Sequence, residues 1–375
     1  MRVPSRSAAR WTCAVARPTA SAPAGRCGSN LPDKGQGDEV SGNLDEIAGS
    51  DHGAISRAVA AADQPIIIRG IAADWPAVAA ARDGDEAIAA YLAARDNGRP
   101  LAVLVGPPDT GGRYFYTDDM RGVNFRSEKM PMAALVERLV ALRDTSDAPS
   151  LYAGSTPTPE SVASFAAENP LPLDTGVDPR IWVGNSSRIA PHYDMAANIA
   201  VVVAGGRRFT LFPPEQIANL YVGPVERTIA GQPTSMVDPD HPDHARYPRY
   251  ADAERHKLVA DLAPGDAIYM PPMWWHHVRS EGALNVLVNY WFGQRQDRFP
   301  FAALMLAMHS IRELPDGERQ AWRTWFDHYV FGEGATHAVD HLPPHAQGVL
   351  GPPSPQRDRM IIDYVVGMCR SSGSG

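Results

Sequence analysis

Apolar and polar positions along the chain change rhythm twice. Up to about residue 142, helical and extended patterns alternate. The spacing predicts a helix over 53–62 that Asp51 can cap, then a short buried strand over 65–70 closed by Trp75-Pro76. Further along, 86–94 reads as helix, 101–105 and 112–116 as strands, and 132–142 as helix. From 150 to 292 short apolar runs are broken by Gly and Pro, the pattern of a β sandwich or barrel. There a strand over 209–212 should follow a Gly205-Gly206 turn and stop at Pro213-Pro214, which lack ladder donors. Pro264-Gly265 suits a turn into a buried strand that carries Trp274-Trp275-His276-His277, and 284–292 reads as the second arm of that hairpin. The Pro-, Asp- and His-rich stretch 223–256 reads as an excursion over a pocket mouth. Helical spacing returns over 301–311, 317–331 and 357–369.

Composition sets bounds on this picture. With 375 residues, 44% apolar, the chain can bury a large core, so one large domain or a domain with an appendage is expected. A net charge of -8 argues against general nucleic-acid binding, which needs a basic surface to displace counterions. Cys13, Cys27 and Cys369 have neither metal-ligand nor disulfide-framework spacing, which fits a reducing compartment, so a cytoplasmic location is expected. No apolar run approaches the roughly 18 residues of a membrane span. The first thirty residues, rich in Arg, Ala, Ser and Pro, imitate a transit peptide but read better as a disordered or wrongly started N-terminus.

The chemistry concentrates in His192-Tyr193-Asp194. On an extended strand His192 and Asp194 point one way and Tyr193 the other, so one strand offers two ligands side by side. Alone, the tripeptide is more often a surface turn with a salt-linked histidine. With a third ligand from Trp274-Trp275-His276-His277, two imidazoles and a carboxylate fill one face of an octahedron and leave the opposite positions open, the arrangement of non-heme Fe(II) oxygenases. Neighbours on a strand face opposite ways, so only one of His276 and His277 can reach such an ion.

These residues, taken with Asn198, Gly205 to Phe209, Leu211 to Pro214, Pro264-Gly265-Asp266 and Asn289-Tyr290-Trp291, resemble the cupin-like JmjC oxygenases, whose members include an asparaginyl hydroxylase and bacterial cupin-like proteins. The resemblance is dense over 152–292 and looser from about 64. It implies a mainly β fold with flanking helices, a double-stranded β-helix or jelly roll of cupin/JmjC type, with a helical C-terminal region. The implied plan is a disordered 1–40, an α/β flank over 41–149, the jelly-roll core over 150–296 and helices over 297–375. It also implies Fe(II), 2-oxoglutarate as co-substrate and O2.

By the resemblance, His192, Asp194 and His276 hold the iron, and His277 stands behind them or is structural. Arg207 stands where relatives often carry lysine for the distal carboxylate of 2-oxoglutarate. Arginine can hold it bidentately, but in a rearranged pocket. Tyr152, Asn198 and Asn289 would line the co-substrate or iron pocket, and Ile189 replaces a hydroxyl residue that contacts the co-substrate. Trp274, Trp275 and Tyr269 would form an apolar wall or be plain core. The expected activity is hydroxylation of a C–H bond on a protein or peptide side chain. The alternatives are a small molecule or modified nucleotide as substrate, or a non-catalytic metal-binding cupin. The C-terminal helices would pack on the barrel or make a homodimer contact.

Overall fold

The computed structural model describes residues 44–229, 231–293 and 298–372. The disorder expected over 1–40 lies outside them. The chain divides into two compact units, one ending at Phe292 and one beginning at Gly293. The strands of the first are β1 (Asp45–Ala48), β2 (Ile66–Arg69), β3 (Leu101–Gly106), β4 (Arg113–Tyr114), β5 (Arg126–Met130), β6 (Ser150–Pro157), β7 (Arg180–Gly184), β8 (Ser187–Tyr193), β9 (Ala197–Phe212), β10 (Leu258–Leu262), β11 (Ala267–Met270) and β12 (Trp275–Phe292). Its helices are α1 (His52–Ala61), α2 (Pro76–Arg82), α3 (Asp85–Ala93), α4 (Met132–Leu142), α5 (Thr158–Ser161), α6 (Phe165–Glu168) and α7 (Tyr250–Arg255).

β9 and β12 are long enough to serve two sheets. Their stretches 198–204 and 286–292 pair with each other inside the order β1-β2-β11-β9-β12-β7-β6-β3-β5. Their other halves, 206–212 and 275–281, pair again, now with β10 on one side and with β8 and then β4 on the other. The result is a jelly roll, two sheets joined by two strands that pass from one to the other. The passage occurs at Gly205 (φ 71°) on β9 and at the register shift between Glu281 and Val286 on β12. The expected Gly205-Gly206 turn is therefore a bend within one strand, since backbone pairing resumes at once on the far side. The expected 268–292 hairpin is corrected likewise. Pro271-Pro272 ends β11, and the two histidines open the same strand that carries 284–292.

Apolar side chains fill both faces of the first sheet. Ile199, Val201, Val203, Val286 and Val288 pack against Ile55 of α1, Val78 of α2, Leu92 of α3 and Leu135 of α4. Between the sheets lie Ile67, Ala200, Val202, Ile268 and Leu287 of the first sheet with Phe209, Leu211, Leu258 and Val278 of the second. A sheet covered on both faces needs uninterrupted apolar runs, which is why β2 and the first half of β9 lack alternation. β10, buried at every second residue, has the alternation of a strand with one wet face.

Local signals act as expected at α1, where Asp51 Oδ1 accepts the Ala54 N–H at 2.8 Å, and at α4, whose apolar spacing fixes Met132–Leu142. They mislead at Trp75-Pro76, which opens α2 with proline in its first turn. The 112–116 strand shrinks to the two residues of β4. The second unit carries α8 (Pro300–Ile311), α9 (Asp316–Phe326), a π turn (Asp327–Phe331) and α10 (Pro355–Ser372). Val339 is its buried hydrophobic residue among those described, whereas Trp322, Trp325, Phe331 and Tyr364 are exposed.

Gly205 tests the two-sheet strand directly. A Cβ there would sit 2.1 Å from Asn285 Oδ1, whereas one at Gly206 meets nothing within 4 Å. Gly205→Ala should cost about 2 kcal/mol or more in urea unfolding, and Gly206→Ala less than about 1 kcal/mol.

Candidate metal centre

The antiparallel register sets His276 of β12 opposite His192 of β8 and Trp275 opposite Tyr193. One residue further the pairing slips: His276 faces His192 but Val278 faces Ile189. β8 thus spends two residues, Ala190 and Pro191, against His277 alone, which is a β-bulge. The extra residue lets Ile189 and His192, three apart, both face the space between the sheets, Ile189 packing on its apolar cluster. Pro191 suits the bulge because it has no N–H to leave unpaired.

The trio converges. His192, Asp194 and His276 each bring a ligand atom to within 4.8 Å of the others. The two imidazole centroids are 4.3 Å apart, and His276 Nε2 lies 3.8 Å from Asp194 Oδ2. Nδ1 of His192 is 2.9 Å from the Ala190 carbonyl and Nδ1 of His276 is 3.0 Å from that of Trp274. A carbonyl only accepts, so each Nδ1 carries the proton and each Nε2 keeps its lone pair, as metal-binding histidines require. Burial first, and then the nearby His276, hold the His192 imidazole down at a pKa of about 4 against the pull of Asp194.

Asp194 is oriented from three sides. Its Oδ2 accepts from Asn198 Nδ2 at 2.9 Å and from Trp291 Nε1 at 3.0 Å. Its carbonyl accepts the Met273 N–H at 2.8 Å, and Met273 takes a left-handed conformation (φ 69°) to deliver it, a strain of about 1 kcal/mol. Asn289 Nδ2 donates to Asn198 Oδ1 at 2.8 Å, so the two asparagines form a chain of donors that ends on the carboxylate. A donor set of two imidazoles and one carboxylate, with every supporting group in place, fits a divalent transition metal.

Arg207 lies on the same interior face. Counting along the β9–β12 register, Leu211, Phe209 and Arg207 stand opposite His276, Val278 and Ser280 in turn, so all share one side of the sheet. Arg207 is 3% exposed, pairs with no carboxylate among the described residues, and leaves Nε without a partner. Burial pushes its guanidinium below the usual range, opposed by the Tyr152 phenol of the facing sheet, whose own pKa burial pushes up. Arg208, one residue on, points out to Asp261 at 2.7 Å. A buried cation with an unpartnered Nε and no carboxylate beside it among the described residues is a standing demand for an anion.

His277 is not a ligand in this arrangement. Its Nδ1 is 2.8 Å from the Ile189 carbonyl and its Nε2 3.3 Å from Asp240, both on the outer face. The expected aromatic wall is also corrected. Trp275 packs outward on Tyr193 and Phe212, and Tyr269 faces the helices, because each alternates with an inward neighbour. Trp274 packs between the sheets, with its Nε1 bonded to the Asp63 carbonyl at 2.9 Å. The aromatics beside the trio are Trp291, Trp182 and Tyr152, stepped at centroid distances of 6.0 and 5.8 Å. Trp291 went unassigned in the sequence although Asn289-x-Trp291 alternation puts both on one face. Asp240 and Trp182 carry no local signal.

Comparison with known proteins agrees with this geometry. A model of the cupin-like domain matches residues 53–298. Jumonji C domain-containing protein 5 of Drosophila melanogaster is 37% identical over 117 residues, 31% of this chain and 28% of that protein. Human HSPB1-associated protein 1 is 29% identical over 175 residues, 45% of this chain and 35% of the relative. The tRNA wybutosine-synthesizing protein 5 of Gallus gallus is 31% identical over 144 residues, 34% of this chain and 42% of the relative. The chain thus spans less than half the length of each of these relatives. A two-sheet jelly roll with an inward His-Asp-His trio, matched from β2 to β12 by that domain model, places the chain in the cupin-like JmjC family.

Proposed function

We propose that this chain is an Fe(II)- and 2-oxoglutarate-dependent dioxygenase that hydroxylates a C–H bond on a protein or peptide side chain. One juxtaposition carries the reading: the His192–Asp194–His276 trio and the buried, anion-seeking Arg207 face the same interior. Two imidazoles and a carboxylate select ferrous iron with open positions, and a carboxylate-bearing co-substrate answers the charge of Arg207. Ferrous iron bound there would supply O2 activation coupled to oxidative decarboxylation of 2-oxoglutarate.

The protein's own share is orientation and exclusion. The Arg207 guanidinium and the Tyr152 hydroxyl receive the distal carboxylate. Phe209, Leu211, Val278 and Leu287 keep the space between the sheets dry, which strengthens that charge pairing. Asn198 and Trp291 both donate to Asp194 Oδ2 and so fix the orientation of the carboxylate beside His276. Support for a protein target is the resemblance to an asparaginyl hydroxylase. A second reading, oxygenation of a modified nucleotide or small molecule, draws on the likeness to the wybutosine-synthesizing protein. A third, non-catalytic metal binding, leaves the unpaired charge of Arg207 without a purpose.

Purified protein given Fe(II), 2-oxoglutarate and air should form succinate slowly without added substrate, and His192→Ala or Asp194→Ala should abolish it. Metal retention with no succinate in the wild type would favour the binding reading. Arg207→Glu should raise the apparent KM for 2-oxoglutarate at least about tenfold, and an unchanged KM would move the anchor elsewhere. Succinate formation over peptide and nucleotide pools separates the two substrate classes.

The metal-free protein should also show the imprint of His192 in its acid sensitivity. Its folded pKa of about 4 lies below the ordinary 6.5, so between those values the unfolded chain binds more protons. This contribution to stability is fully present above about pH 6.5 and is lost as pH falls toward 4. Urea midpoints across that window should drop less for His192→Gln than for wild type, a relative gain of about 1 kcal/mol or more.

A further inference from the structure

The outer face of the β8–β12 ladder is basic. Arg188 and Arg279 are direct cross-strand partners, Arg113 reaches in from β4, and His277 stands beside them. Like charges set opposite each other weaken a sheet. The chain between β9 and α7 brings the remedy: Asp238 lies 3.3 Å from Arg188 and 3.6 Å from Arg113, and Asp240 lies 3.3 Å from His277 and 3.6 Å from Arg279. Both aspartates are mostly buried, at 14% and 15% side-chain exposure, so these pairs are screened far less than surface ones.

His277 also touches the backbone of β8. Three successive carbonyls of β8 at the bulge each have a donor of their own. Ile189 accepts from His277 Nδ1 at 2.8 Å, Ala190 from His192 Nδ1 at 2.9 Å, and Pro191 from the Ser235 N–H at 2.7 Å. The middle carbonyl orients a metal ligand. The flanking two are held by the segment between β9 and α7, directly through Ser235 and indirectly through Asp240 and His277.

We infer that Asp240 is a positioning residue for the metal centre: by fixing His277 it fixes the bulge whose Ala190 carbonyl aims His192. The inference rests on the trio binding a divalent metal and needs neither 2-oxoglutarate nor a known substrate. Orienting groups behind metal-bound histidines commonly govern affinity by 10- to 100-fold.

Co(II) alone is the probe, with affinity and the visible d–d spectrum as readouts in the full chain. Wild type should bind one Co(II). Asp240→Ala should bind roughly tenfold more weakly with shifted bands, and Asp240→Asn, which keeps an acceptor for His277, should restore both. If Asp240→Ala fails to fold, His277→Gln carries the comparison, since it keeps a donor near Ile189 but loses Asp240. A lower Tm in folded variants with wild-type affinity and spectrum would make the role merely structural and overturn the inference alone. Absence of Co(II) binding by the wild type would instead overturn the metal reading on which it stands.

Discussion

Antiparallel pairing of β8 with β12, interrupted by a single bulge, is the constraint on which the rest of the site depends. Strict alternation would send residues three apart on β8 to opposite faces. The bulge brings Ile189 and His192 to the same interior, frees the carbonyl that orients His192, and leaves His277 pointing outward. A register error of one residue anywhere on this ladder would replace His276 by His277 or Trp275 at the metal position. The apolar fill between the sheets and the charged clamp outside them oppose such a slip together, because either shift would bury a cation or expose a tryptophan.

The interior combines two costs that a protein rarely accepts without return. His192 is desolvated beside a second imidazole, and Arg207 is sealed beside a phenol with Nε unpartnered. The first would be relieved by a cation held by the imidazole lone pairs and the Asp194 carboxylate, the second by an anion at the guanidinium. The two demands are met together by a metal and an acidic co-substrate more naturally than by either alone, which is the physical content of the proposed function.

Much of the fold was legible because its signals are local. α4 follows from helical spacing, α1 from Asp51 as cap, the interior β2 from an apolar run of strand length, and the end of β9 from the run over 209–212 stopped by Pro213-Pro214. What escaped was long-range. Nothing in a Gly-Gly pair distinguishes a turn from a bend between two sheets, since both exploit positive φ. Trp75-Pro76 resembled an ending because proline stops an element as readily as it starts one. At the site, alternation was enough to say that only one of His276 and His277 faces inward, the resemblance chose His276, and neither revealed that Trp275 and Tyr269 turn outward while Trp182 comes in from β7. Nor could spacing reveal that Asp240 reaches back to His277 across the outer face.

β12 has one more consequence. Its first residues supply His276 and its last supply Asn289 and Trp291, so both ends of one strand serve the same carboxylate, which sits far earlier in the chain. During synthesis, a nascent chain that has reached β9 holds His192 and Asp194 but neither the third imidazole nor the indole that steadies the acid. Contacts of such sequence separation form late in folding. The three candidate ligands therefore come together only once the jelly roll has closed around them, and a half-made chain holds two of the three.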